Sequence, residues 1–232
     1  MPTYLYCILP ADGDAPDSMP IGVGGTPVRV MAAGALTAWV ETVADRSVTP
    51  SIDGVRAHDA VVTAALECGE TPLPARFGQV FESDEQCRAA LIAQAARMET
   101  DLARVRGLVE MRVIARLPRP AVPPEEAPTA DSPGTGYMRK LQQGRAMEQI
   151  VQASASAVRR RLTETVGAFV RGEAVTLDPL PAAVLTLSHL VARDQVPAYR
   201  SALTDVALDV AVERLVVSGP VAPYQFVSAP DD

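Results

Sequence analysis

Two histidines, His58 and His189, and three cysteines, Cys7, Cys68 and Cys87, come first, because imidazole and thiolate carry much of the proton, metal and nucleophile chemistry of proteins near neutral pH. Neither histidine has a second good ligand beside it in sequence, so a metal site would have to recruit partners from elsewhere. His58 shares the apolar face of a predicted helix, which suits a hydrogen-bonded structural histidine. Ser188-His189 with Asp194 has the residue types of a hydrolase triad. Adjacent strand residues point to opposite faces, however, so Ser188 and His189 cannot pair as nucleophile and base. No GxSxG elbow occurs elsewhere. The cysteines are odd in number and lack CxxC spacing, which argues against a disulfide framework or structural zinc and for a reducing compartment. Cys87, in the first turn of a predicted helix, is expected to have a somewhat depressed pKa, although a small buried hydrophobe suits all three thiols better. Gly22-Val23-Gly24-Gly25 follows no strand, opens no helix and lacks the Lys-Ser or Lys-Thr of a phosphate loop, so it reads as a flexible turn. Catalytic, cofactor-binding and metal-binding residues are all read as none.

The elements that would position such groups belong to an ordinary globular chain. Of 232 residues, 48% are hydrophobic and 21% charged, which excludes general disorder. Aromatics make up 4%, so Ala, Val and Leu must fill most of the core. The net charge of −7 argues against a nucleic-acid binder or a protein that docks on anionic lipid, since both need clustered Lys and Arg. No basic region precedes the short apolar opening, and no window approaches the roughly 18 apolar residues that span a bilayer. The reading is a soluble cytoplasmic protein.

Tyr4 to Leu9 is apolar on both faces and predicts a strand covered on both sides. Val28 to Met31 reads as a second strand. Leu36, Trp39, Val40 and Val43 fall at helical spacing, predicting a helix over Leu36 to Ala44. A further helix is expected from Gly54 to Cys68, closed by Gly69. The proline-interrupted Pro72 to Phe81 reads as an edge or irregular strand. Ser83 with Gln86 forms a capping-box pattern that opens one helix ending at Gly107, followed by a strand from Val109 to Val113. Residues 117–136, rich in Pro and acidic side chains, read as a linker. A long helix is expected from Tyr137 to about Gly172, with Met147, Val151, Val158, Leu162, Val166 and Phe169 on one stripe. Strands near Ala174 to Leu177 and Val184 to Val191 follow. A helix from Asp194 carries Val196, Tyr199, Leu203, Val206 and Val210, and the last strand covers Val212 to Val217. The expectation is an α+β protein of two domains, 1–116 and 137–232, each a small mixed or antiparallel sheet packed with helices.

Two stretches are poorly explained by packing alone. Arg76 lies between apolar residues in Leu73-Pro74-Ala75-Arg76-Phe77-Gly78-Gln79-Val80-Phe81, with Glu110 as its expected buried partner. Such a pair would make Arg76→Ala cost about 3–5 kcal/mol by stranding the other charge. The terminus Gly219-Pro220-Val221-Ala222-Pro223-Tyr224-Gln225-Phe226 puts prolines and aromatics where they dock back on their own sheet or serve as binding anchors.

At these residues the chain resembles the gas vesicle protein F/L family. The matching pieces, in order, are Tyr4-Leu5-Tyr6, the helix with His58 leading into Leu73 to Phe81, and Glu110 to Val113. Gly136-Tyr137-Met138, Leu190 to Val196, and Ser218-Gly219-Pro220 with Tyr224-Gln225-Phe226 complete the set. The family tail usually reads GPWPPYSF, where Val221 and Ala222 stand here, and Met111 stands where a Trp usually follows the strand Glu. The resemblance implies a ferredoxin-like C-terminal domain opened by the long helix, no enzymatic activity and no cofactor. It also implies an accessory or minor structural role in gas vesicle formation, with the major shell protein or other accessory proteins as partners and no nucleic acid or lipid membrane. Arg76, Phe77, Phe81, Pro220, Pro223, Tyr224 and Phe226 are the partner-contact candidates. The alternative reading is a small-ligand-sensing regulatory module on a ferredoxin-like sheet.

Overall fold

Strand β1, Thr3–Pro10, is buried from Thr3 through Leu9, as its two apolar faces require. It is the centre of the first sheet in a computed structural model that describes residues 1–13, 15–118, 133–178, 183–204, 206 and 212–227. Strands β2, Arg29–Ala33, and β3, Leu36–Thr42, form a hairpin on one side of β1, with β3 against it. Helix spacing misleads over Leu36 to Ala44. Six consecutive residues of β3 are buried because β3 pairs with β1 and β2 and is covered on both faces, so no polar alternation marks it as a strand. Gly34, at φ 67°, is the first of two loop residues between Ala33 and Leu36, and a two-residue hairpin with one left-handed position needs glycine there.

Helix α1, Ile52–Glu67, starts at Ser51, whose hydroxyl accepts from Gly54 N, and buries His58, Val61, Val62, Ala65 and Leu66. The proline-rich stretch after it pairs with the other side of β1 in two short pieces, β4, Leu73–Pro74, and β5, Val80–Phe81, separated by a loop. Ser83 caps the next helix through Gln86 N at 3.3 Å, while the Gln86 side chain accepts from Glu82 N at 2.6 Å. The single helix expected here is two: α2, Asp84–Ala93, and α3, Ala95–Val105, broken at Gln94, which leaves helical geometry at φ −108°, ψ 10°.

The second sheet is built by β6, Leu108–Arg116, α4, Pro133–Val166, β7, Val170–Asp178, β8, Val184–Ala192, α5, Val196–Thr204, and β9, Arg214–Val221. This is a βαββαβ chain, and its sheet order β7-β8-β6-β9 places the first strand between the third and fourth, the ferredoxin-like arrangement. Helix α4 has 34 residues, about 51 Å of helix. Val151, Ala155, Val158, Leu162 and Val166 form its buried stripe. Phe169 leaves that stripe: α4 stops at Val166, a 3-10 turn covers Gly167–Phe169, and β7 begins at Val170, earlier than the sequence suggests. Residues 133–136 of the expected linker are helical, and 119–132 lie outside the described residues, as does Val210. Helix α5 ends before Val206.

Two compact units emerge, Met1–Glu110 with Gly219–Asp232, and Met111–Ser218. The division falls inside β6 and β9, and the C-terminal segment groups with the first unit. The sequence reading keeps that segment with 137–232 and leaves β6 with 1–116.

Candidate functional site

Glu41 sits in the largely apolar β3 and is 0% exposed. A buried carboxylate survives only if its lone pairs are satisfied. The Gly22–Thr26 turn does this: Gly24 N lies 3.1 Å from both oxygens, while Thr26 N at 2.9 Å and Thr26 Oγ1 at 2.8 Å donate to Oε1. Tyr6 donates its hydroxyl to Oε2 at 2.5 Å and accepts from Val23 N at 2.7 Å. Burial, then the bond to Glu41, pushes the Tyr6 hydroxyl pKa far upward. A Cβ on Gly22 would sit 2.2 Å from Glu41 Oε2 and 2.3 Å from Tyr6 Oη. The glycine cluster is therefore a cradle for an anion, and the anion is the protein's own. The sequence clue was a glutamate inside an apolar run.

A second network fixes the loop between β4 and β5. His58 Nε2 donates to Ala75 O at 3.2 Å, which leaves Nδ1 to accept from the Tyr4 hydroxyl at 2.9 Å; that hydroxyl in turn accepts from Gly78 N at 2.9 Å. Burial lowers the His58 pKa and raises that of Tyr4 to about 12, so both are neutral at physiological pH. His58 is thus the structural histidine its helix position suggests. Phe77 is half-buried, edge-on to Tyr4 and His58, and its ring edge lies 3.3 Å from where a Gly54 Cβ would be.

Arg76, on the same loop, is exposed. The buried Arg76–Glu110 pair is not formed, because the loop turns the Arg76 side chain to solvent while Glu110 is 0% exposed and accepts from Gln225 N at 2.9 Å. Ile52 is 72% and Val55 47% exposed in the first turn of α1, which also carries Gly54. Arg76 and Phe77 are neighbours on the loop that His58 holds at Ala75 and Tyr4 holds at Gly78. Phe81 is half-buried on β5 opposite Thr3.

The tail candidates separate. Pro220 is exposed, Pro223 buried, and Tyr224 and Phe226 half-buried. Ala222, 2% exposed, joins the aromatic core of the first unit with Tyr4, Tyr6 and Trp39, and Tyr224 packs against it. Arg104, held by Asp101 at 2.7 Å, donates to Phe226 O.

In the second unit His189 sits between the Tyr199 hydroxyl, 2.7 Å from Nδ1, and Glu173 Oε1, 3.4 Å from Nε2. Arg159 reaches Glu173 Oε2 at 2.5 Å, so α4, β7, β8 and α5 each contribute one residue to this chain of polar contacts. Burial leads in lowering the His189 pKa, and the Glu173 carboxyl is also held low, by the Arg159 guanidinium against the opposing effect of burial. Ser188 is buried and pairs with Ala174 across the strands, while Asp194 is exposed in a 3-10 turn. Cys87 is 0% exposed, and burial pushes its pKa up to about 11, the reverse of the depression expected from its helical position. Among the described residues, no group of three or more His, Cys, Asp or Glu side chains is arranged to hold a metal ion, and no helix is long and apolar enough to cross a membrane.

Fold and site define a two-sheet α+β protein, its second sheet ferredoxin-like, whose buried polar groups are spent on holding loops and strands in place. The family described as gas vesicle synthesis protein GvpL/GvpF matches residues 2–228, and the chain belongs to it. A Streptomyces sp. (strain CB03234) protein named gas vesicle protein F is 33% identical over 98% of this chain and 100% of its own length. Two crystal structures share the fold at 16% identity. Gas vesicle protein GvpF from Anabaena sp. PCC7120 has TM-score 0.79 over 99% of this chain and 97% of its own. GvpF from Microcystis aeruginosa has TM-score 0.75 over 98% and 99%. Membership of this family gives the chain a role in gas vesicle formation.

Proposed function

We propose that the chain works in gas vesicle formation by binding, holding the major shell protein or another accessory protein during nucleation and assembly, without chemistry of its own. A shell subunit that builds a wall with an apolar inner face exposes apolar area before it polymerises, and such area drives association. A water-soluble acidic partner that covers it delays aggregation, and the net charge of −7 keeps the complex dispersed in the cytoplasm, at the vesicle.

The observation that carries this reading is the backed surface at Ala75 to Gln79. Leu5 N donates to Gln79 O and Ala75 N to Tyr6 O, while Tyr4 and His58 hold the loop from below. A loop so fixed loses little conformational freedom on docking, which leaves more of the contact energy for affinity. Phe77 offers an aromatic edge, Arg76 a cation for the rim, and Ile52 and Val55 add apolar area; burying those two contributes on the order of 2 kcal/mol. Charge reversal at exposed positions tests it without touching the core. Arg76→Glu with Ile52→Glu should abolish co-purification of the shell protein with the full chain while the melting curve stays that of wild type. Undiminished recovery of shell protein would remove this surface from the account.

A further inference from the structure

Past β9, residues 222–227 belong to the first unit and not to the sheet that β9 closes. Ala222 and Pro223 are buried in the first unit, where Ala222 joins the cluster of Tyr4, Tyr6 and Trp39. The segment is folded on itself by Tyr224 N to Ala222 O at 2.8 Å and Phe226 N to Pro223 O at 3.0 Å. It is anchored by polar groups of the unit: Gln225 N donates 2.9 Å to the buried Glu110 carboxylate, and Arg104, fixed by Asp101, donates to Phe226 O. Side chains seated in a core, with the backbone polar groups of a compact turn bound by side chains of the unit, is how a short peptide is held.

We propose that Ala222–Phe226 is a latch: bound to the first unit as a peptide ligand is bound, it opens while both sheets remain folded and uncovers the apolar cluster beneath. A segment with few buried side chains opens at low free energy, and this one buries two small residues while Tyr224 and Phe226 stay half-exposed. β1, by contrast, is held by strands on both sides. What release would serve rests on the assembly reading, since it offers apolar surface to a partner that is itself apolar. The existence of the latch does not.

Hydrogen exchange on the full-length chain alone tests it, so a negative result leaves the shell-protein reading standing. The Gln225 amide should exchange more slowly than in an unstructured peptide and faster than the Tyr6 and Trp39 amides. Arg104→Ala should speed Gln225 roughly tenfold, the loss of one charge-assisted hydrogen bond, leave Trp39 unchanged and raise binding of an apolar dye. Asp101→Asn, which weakens the hold on Arg104 by removing the charge while keeping an acceptor, should act in the same direction to a smaller degree. Gln225 exchanging in step with Trp39, or unmoved by both substitutions, overturns the latch.

Discussion

Glu41 illustrates how far single residues reveal themselves. Its place in Leu36-Thr37-Ala38-Trp39-Val40-Glu41-Thr42-Val43 is a signal that the helical reading passes over, and Gly22-Val23-Gly24-Gly25, read as a flexible turn, in fact points N–H groups inward. Nothing in the sequence joins the two, because they meet only through the pairing of β2 with β3, which brings the turn ahead of β2 onto Glu41. Gly22→Ala should destabilise the protein by about 1–3 kcal/mol, the cost of overpacking, since Glu41 and Tyr6 are both tied in place and cannot yield. Thermal denaturation reads this directly, and a melting temperature equal to wild type would mean the cradle is slack. Tyr4→Phe removes the donor to His58 Nδ1 and the acceptor of Gly78 N, and should cost about 1–3 kcal/mol. Its signature is faster exchange of the Gly78 amide. Arg76→Ala, by contrast, should stay within about 0.5 kcal/mol of wild type, because the side chain is exposed. The larger cost expected from the sequence assumed a strand running through Arg76, whereas β4 ends at Pro74 and a loop begins.

Elements with a local grammar were the most readable. Ser83 opens α2 where its capping pattern predicts, α1 starts two residues before the expected Gly54 because Ser51 caps it, and β1 shows two apolar faces because both are covered. β3 was not readable as a strand, since full burial erases alternation and leaves its apolar spacing open to a helical interpretation. The break at Gln94 carries neither proline nor glycine, so no local signal divides α2 from α3. The destination of the tail is a tertiary fact, invisible in Pro223-Tyr224-Gln225 alone. Helix α1 and strand β8 each bury one neutral imidazole, and this sets a pH dependence. Burial holds both imidazoles below the ordinary histidine pKa of about 6.5, so the unfolded chain takes up protons that the folded chain refuses. Stability should therefore fall as pH drops below about 6.5. The melting temperature should decline between pH 7 and pH 5.5; a flat profile over that range would show that the imidazoles find their protons without unfolding.

For the molecule as a whole, composition excluded more than it assigned. The acidic balance set nucleic acid aside, and the chain-wide order of short motifs pointed to the family that the comparisons establish. The polar groups that caught the eye as chemistry, His58, His189 and the glycine cluster, are engaged in holding the architecture. The proposed binding role rests on surface: a loop held from below with Arg76 and Phe77, exposed apolar Ile52 and Val55 at the start of α1, and an acidic net charge. The central claim is that this surface covers the apolar area of a shell subunit. Light scattering from purified shell protein, diluted from denaturant with and without the full-length chain, measures that most directly. The account predicts suppressed or delayed scattering with wild type and none of this protection with the Arg76→Glu, Ile52→Glu chain. Scattering that rises identically with wild-type chain present would contradict it.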